Sequence, residues 1–182
     1  MTKCKTCRKP ASQRFGLHTF CDAECAYQFA IATKEKAAAK RQKEFNAETR
    51  RRKVALKSRG DWLKDLQVVF NRFIRLRDAR LNCISCGGKL GSKYDAGHYK
   101  SVGAHPELRF SEVNTHAQCV HCNQHLSGNL INYRKILLVR IGAEKVEWLE
   151  GKHEPLKLTI EEIKVLIAEY RLKIKQLESL NA

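Results

Sequence analysis

Apolar residues recur at helical spacing in two stretches that lie far apart in the chain. After Gly60, the positions Leu63, Leu66, Val69, Phe70, Phe73, Ile74 and Leu76 mark one face. From about Leu158 onward, Ile163, Leu166, Ile167, Tyr170, Ile174 and Leu177 mark another. Each pattern predicts an amphipathic helix with a buried stripe. Asp61 is the expected N-cap of the first, and Thr159 with Glu162 has the spacing of a capping box opening the second. Between Thr33 and Arg59 the periodicity disappears. That stretch has no Gly or Pro and is dominated by Ala, Lys, Arg and Glu, which predicts one long helix that largely buries no face and is interrupted at Gly60. The terminal stripe is expected to serve core packing rather than a partner.

The remaining segments are short, irregular and rich in Cys and His. The fold class expected is α+β, mostly helical, in four parts. These are an N-terminal four-cysteine zinc module over 1–32, a basic helix over 33–59, a helix plus a zinc-containing core over 60–150, and a C-terminal amphipathic helix over 151–182. The third part reads as loop-rich beyond residue 82.

Charge changes the picture next. The 182 residues carry 35 Lys and Arg against 19 Asp and Glu, a formal charge of +16. Half of that excess falls in the 33–59 segment, with eleven basic and three acidic residues. Such an excess favours a polyanionic partner, nucleic acid before membrane, because Lys and Arg neutralise phosphates and release counterions. No apolar run approaches the roughly 20 residues needed to span a bilayer, and the N-terminus lacks the apolar core of a secretory signal. A soluble protein made in a reducing cytosol is expected.

In that compartment, eight cysteines set in pairs point to metal rather than disulfides. Cys4, Cys7, Cys21 and Cys25 form C-x2-C-x13-C-x3-C, and Cys83, Cys86, Cys119 and Cys122 form C-x2-C-x32-C-x2-C. Each set can surround one Zn²⁺, since a CxxC turn supplies two thiolates from one tight loop. A closed four-sulfur site has no open position for substrate, so both zinc ions are expected to be structural.

Between the second cysteine pairs, Asp95, His98, His105, Asn114, His116, His121, Asn123 and His125 gather within about thirty residues, including five of the seven histidines. A strand pair carrying His98, then Asn114, then a ligand pair opening a helix is the order of the HNH endonuclease motif. The stretches DAGHY (95–99), ELRF (107–110), NTHAQCVHCNQHLSGN (114–129) and YRKILLVRIG (133–142) closely resemble the phage recombination protein family NinG, also called Rap. The N-terminal cysteine cluster and basic helix are similar too, so the resemblance covers most of the chain. It implies a ββα-metal (HNH, treble-clef-like) core and a Holliday-junction and branched-DNA endonuclease of a lambdoid phage. Such a protein would act in recombination, in the cytoplasm of the bacterial host.

Carried over residue by residue, the pattern implies His98 as general base and Asn114, five residues before Cys119, as its orienting partner. It places Asn123, directly after Cys122, on the metal-facing side of the helix. HNH sequences usually have a metal-binding His or Asp immediately before the base, whereas this chain has Gly97. Asp95 is the nearest substitute, and a bulge at Gly97 is expected to bring it to the side of His98. Asp95, Asn123 and His125 are then the expected ligands of a catalytic Mg²⁺ or Mn²⁺, with His116 near a ligand or phosphate. His105 and His121 read as structural.

The expected DNA contacts are Lys40, Arg41, Lys43, Arg50, Arg51, Arg52, Lys53, Lys57 and Arg59, which can track phosphates without reading bases. Partners implied are branched DNA, a second copy of the chain in a homodimer, and other recombination proteins. The runner-up reading is a non-catalytic zinc-finger protein that binds DNA or recruits recombination factors.

Overall fold

The computed structural model describes residues 2–180. The chain divides into two compact units, Met1–Lys57 and Ser58–Ala182.

In the first unit, β1 (Gln13–Phe15) pairs antiparallel with β2 (His18–Phe20), and the chain then enters α1 (Ala23–Ala55). Asp22 caps this helix by accepting the N–H of Cys25 at 2.7 Å. The helix therefore starts about ten residues earlier than composition suggested, because an Asp cap and an unbroken run of helix-compatible residues carry it back to Ala23. Its first turns pack on the hairpin, with Phe29 against Phe20 and His18 at ring distances of 5.4 and 5.0 Å. No residue of α1 is buried, as expected where apolar periodicity is missing.

The second unit starts with α2 (Arg59–Arg77), and its N-cap is Ser58, not Asp61. Ser58 accepts the Asp61 N–H while the Asp61 carboxylate accepts the Ser58 N–H, a reciprocal capping box that sequence order alone did not orient. Gly60 lies inside the first turn, so the interruption falls between Leu56 and Ser58. Next come β3 (Tyr94–His98), a 3-10 turn (Pro106–Leu108), β4 (Thr115–Cys119) and a π-helical turn (His121–His125). The chain closes with α3 (Leu130–Ile141), α4 (Ala143–Glu150) and α5 (Ile160–Leu180). Helices α3 and α4 occupy part of the region read as loop-rich.

Two apolar clusters hold this unit. Leu66, Phe70, Phe73 and Ile74 of α2 interlock with Ile163, Ile167, Tyr170 and Ile174 of α5. Both stripes are thus consumed by each other, and Thr159 and Glu162 form the expected capping box. The second cluster joins Ile84, Tyr99 and Leu108 to Tyr133, Leu137, Val146 and Leu149. Ala96 of β3 packs against the first cluster, while His116 of β4 meets Tyr133 of the second. At the end of α2, the buried Asp78 carboxylate accepts the Ala117 N–H at 2.9 Å and two bonds from Arg77. Arg77 in turn donates to the carbonyls of Glu112 and Thr115. This clamp fixes where β4 begins.

Candidate metal site

The two cysteine sets each draw together. Within each tetrad the sulfur atoms all lie within 4.8 Å of one another. The separations of 3.7 Å for Cys83–Cys119 and for Cys4–Cys21 match the edge of a tetrahedron built on sulfur–zinc bonds of about 2.3 Å, which is about 3.8 Å. Both tetrads can therefore hold zinc.

Their first pairs are built alike. Cys4 N–H donates to Lys9 and Arg8 N–H returns to Cys4, just as Cys83 N–H donates to Gly88 and Gly87 N–H returns to Cys83. The residue after each second Cys is left-handed, Arg8 at φ 66° and Gly87 at φ 70°. In both units the second pair sits where a strand gives way to a helical turn. Burial opposes ionisation of Cys83, but N–H groups of Cys86, Cys119 and Ser85 outweigh it and bring its thiol down to about 7. Burial and the neighbouring sulfurs push Cys122 up to about 12, a resistance that a divalent cation between the four thiols removes.

The second tetrad frames the strand pair carrying His98. β3 and β4 pair residue for residue, from Tyr94 opposite Cys119 to His98 opposite Thr115. The bulge expected at Gly97 is absent. Asp95 and His98, three apart on a regular strand, consequently point to opposite faces. Gly97 is needed for space, since a Cβ there would overlap the side chain of Gln118.

His98 Nε2 lies 3.0 Å from the carbonyl oxygen of Arg109. A carbonyl only accepts, so Nε2 carries the proton and Nδ1 of the neutral ring is left as an acceptor. Burial, with a smaller push from the Arg109 guanidinium, lowers the His98 pKa and keeps that neutral form. The residues on either side are anchored too. Gly97 O accepts from the Tyr133 hydroxyl at 3.0 Å, and the Tyr99 hydroxyl donates to Glu150, itself held by Arg134.

Asn114 acts on the backbone around His98 rather than on its ring. Its Oδ1 accepts the Lys100 N–H at 2.8 Å, and its Nδ2 donates to the carbonyls of Lys100 and Leu108 at 3.0 and 3.2 Å. The two ends of the loop that returns Arg109 to His98 are thereby tied together.

A surface recess of about 270 Å³ is lined by His98, Asn123, Ser127 and Gly128, among others. Asn123 also reaches Asp95, donating to its Oδ2 at 2.9 Å, and Gln124 donates to the same oxygen at 2.8 Å. Asn123 thus lines the recess of His98 and bonds the carboxylate on the other face of β3. A hard divalent cation fits this donor set if the Asn123 amide presents its oxygen.

Other expectations land elsewhere. His125 is exposed, with its ring 5.8 Å from that of His121, and it makes no described contact with Asp95. His116 is buried, 4% exposed, with Nδ1 3.3 Å from the Tyr133 hydroxyl. Burial lowers its pKa to about 3, so it is a neutral core residue out of reach of phosphate. His105 pairs with Glu107 at 3.0 Å. Lys40, Arg41, Lys43, Arg50, Arg51, Arg52 and Lys53 lie along α1, Lys57 follows its end, and Arg59 belongs to α2, where it donates to Leu158 O. The sequence reading missed Gln118, Gln124, Tyr133 and the Arg109 carbonyl. The last is main chain and leaves no residue-type signal.

The family model described as Bacteriophage Lambda NinG protein matches residues 1–180. The chain belongs to the NinG family. It is 42% identical over 190 residues to protein ninG of Escherichia phage lambda, covering 97% of this chain and 93% of that protein. The ninG proteins of Salmonella phage P22 and Enterobacteria phage H19B are 42% and 40% identical, each aligned over 188 residues. These alignments cover 96% and 97% of this chain, and 93% and 94% of those proteins. No solved structure matches it. Among the described residues of this NinG protein, no helix is long and apolar enough to cross a membrane.

Proposed function

We propose that this NinG protein is a metal-dependent, structure-specific endonuclease that hydrolyses phosphodiesters in Holliday junctions and other branched DNA during phage recombination. The observation that carries the reading is the bond from His98 Nε2 to the Arg109 carbonyl, which leaves Nδ1 as the acceptor of a neutral imidazole on a residue that lines an open recess. That is what a general base for water requires. The zinc-framed β3–β4 pair followed by a helical turn supports a ββα-metal core. Asp95 remains on the strand face opposite His98, and its link to the His98 recess is Asn123, which bonds its carboxylate and lines that recess.

Asp95 and Asn123 would hold the Mg²⁺ or Mn²⁺, which when bound supplies charge stabilisation to the phosphorane and the departing 3′ oxygen. His98 takes the proton of the attacking water on Nδ1. Asn114 keeps the 99–109 loop in place, so the Arg109 carbonyl stays on Nε2. The basic residues of α1 contact DNA phosphates, giving recognition by shape rather than by base sequence.

The test is incubation of a synthetic four-way junction with the zinc-loaded protein and Mg²⁺ or Mn²⁺, comparing wild type with His98→Ala. Nicking by wild type alone supports the reading. Binding without nicking by wild type favours the non-catalytic zinc-finger alternative, and equal cutting by the variant removes His98 from the reaction.

A further inference from the structure

Gln118 lies directly across the sheet from Asp95 and is fully buried. Its two amide ends have unequal surroundings. Nε2 donates to Ser85 Oγ at 2.5 Å and to Gly128 O at 2.6 Å. This fixes the orientation of the group, because an inverted amide would set its oxygen against the Gly128 carbonyl. Oε1 has no hydrogen-bond partner. It occupies the space beside Gly97 that a side chain would otherwise fill, and Gly97 is tolerated there because it has none. A buried carbonyl without a partner has given up water for nothing in return, and such atoms in native proteins call for an explanation such as strain, a water or an ion.

We infer that Gln118 Oε1 is an oxygen ligand of the divalent cation that Asp95 and Asn123 hold. The inference rests on the cation of the nuclease reading and adds a ligand to it. The donors come from one face of the strand pair and the turn that follows it: the Asp95 carboxylate, the side-chain carbonyl of Gln118, whose residue pairs with Asp95 across the sheet, and the Asn123 amide, which bonds Asp95 and lines the His98 recess. All are hard oxygen donors, which select Mg²⁺ or Mn²⁺ over the softer metals of the cysteine tetrads. Only one of the three is charged, so the bound cation keeps net positive charge for a phosphate. Asn123 turns its amide over on binding, and the Nε2 bonds of Gln118 hold Oε1 in place beforehand.

The experiment is titration calorimetry of MnCl₂ into the zinc-loaded full chain. The variant Gln118→Met keeps the volume and removes the oxygen, while Gly128 O retains the Ser85 hydroxyl at 3.0 Å. It should bind Mn²⁺ at least about tenfold more weakly, the scale on which even outer partners of metal ligands act. Ser85→Ala keeps Oε1 and the bond from Nε2 to Gly128 O, and should weaken Mn²⁺ binding by less than Gln118→Met does. If Asp95→Asn loses Mn²⁺ and Gln118→Met does not, Gln118 is not a ligand and the nuclease reading stands. If wild type takes up no Mn²⁺, or Asp95→Asn binds it unchanged, the cation reading itself fails and this inference with it. Should Gln118→Met lose both its zinc and its fold, anomalous diffraction from wild-type crystals soaked in MnCl₂ decides. A peak about 2.1 Å from Oε1 supports the inference and one beyond about 3 Å overturns it.

Discussion

His98 and Arg109 meet through ring and main chain: Nε2 of the first lies 3.0 Å from the carbonyl oxygen of the second, eleven positions further along the chain. The bond sets the tautomer of His98, and burial sets its charge. For a base with a lowered pKa, the active form is already complete at neutral pH. Cleavage should be independent of pH from about 7 to 8 and should fall only in acid, below the usual His value of about 6.5. His98→Ala should cut about 10²–10⁴-fold more slowly in single-turnover assays while binding junctions within a few-fold of wild type. A rate that keeps rising above pH 8 would point to a different base.

Asn114 should matter to both fold and rate. Asn114→Ala removes three hydrogen bonds around Lys100 and Leu108, and should lower stability in urea by about 2–3 kcal/mol. It should also slow cleavage by loosening the loop that presents Arg109. Unchanged stability would mean that the loop closes without it.

His116 gives a pH dependence of stability. Its folded pKa of about 3 lies below the ordinary 6.5, so on acidification the unfolded chain takes up the proton first. Stability from this group is present above about pH 6.5 and is lost as pH falls toward 3, at up to about 1.4 kcal/mol per unit. Between pH 6.5 and 5.5, melting temperatures of His116→Gln should change less than those of wild type. Parallel profiles would contradict a buried neutral ring.

Zinc should be found at about two ions per chain. Cys119→Ser should lower this to about one and destabilise Ser58–Ala182, and Cys4→Ser should remove the other ion while leaving that unit folded. Elemental analysis with thermal melting reads both, and protein prepared without chelator yet free of zinc would overturn the assignment.

Replacing Arg50, Arg51, Arg52 and Lys53 by Gln should weaken junction binding and flatten its salt dependence by about 0.9 in log–log slope for each phosphate no longer neutralised. An unchanged slope would place those side chains away from DNA.

The elements most legible in the sequence were those written in periodic or paired residues. The α2 and α5 stripes found each other, and the cysteine pairs formed their tetrads, because apolar spacing and thiol spacing are local signals with one geometric meaning. Capping was read less well: Ser58 and Asp61 have similar cap preferences, and only the backbone shows which stands outside the helix. The supports of the candidate site were hidden for another reason. Tyr133 reaches Gly97 from 36 residues away, and Gln118 looks like a polar residue in an ordinary strand. His116 shared a motif with true candidates but is placed by packing. The bulge expected at Gly97 is absent, so Asp95 and His98 stay on opposite faces of β3, and what connects them is Asn123, which bonds the Asp95 carboxylate while also lining the recess of His98.

Helix α1 runs for 33 residues with none of them buried, and beyond the first turns, which pack on the hairpin through Phe29, no core holds it in shape along its length of about 50 Å. Its order depends on the Asp22 cap, on side chains that favour helix, and on exposed pairs such as Arg52 with Glu48. Those are forces that the medium can tune: added salt screens the pairs, and a polyanion laid alongside relieves the crowding of like charges in Arg50 to Lys53. The rod is thus the part of the molecule whose straightness is decided by what surrounds it rather than by what it covers.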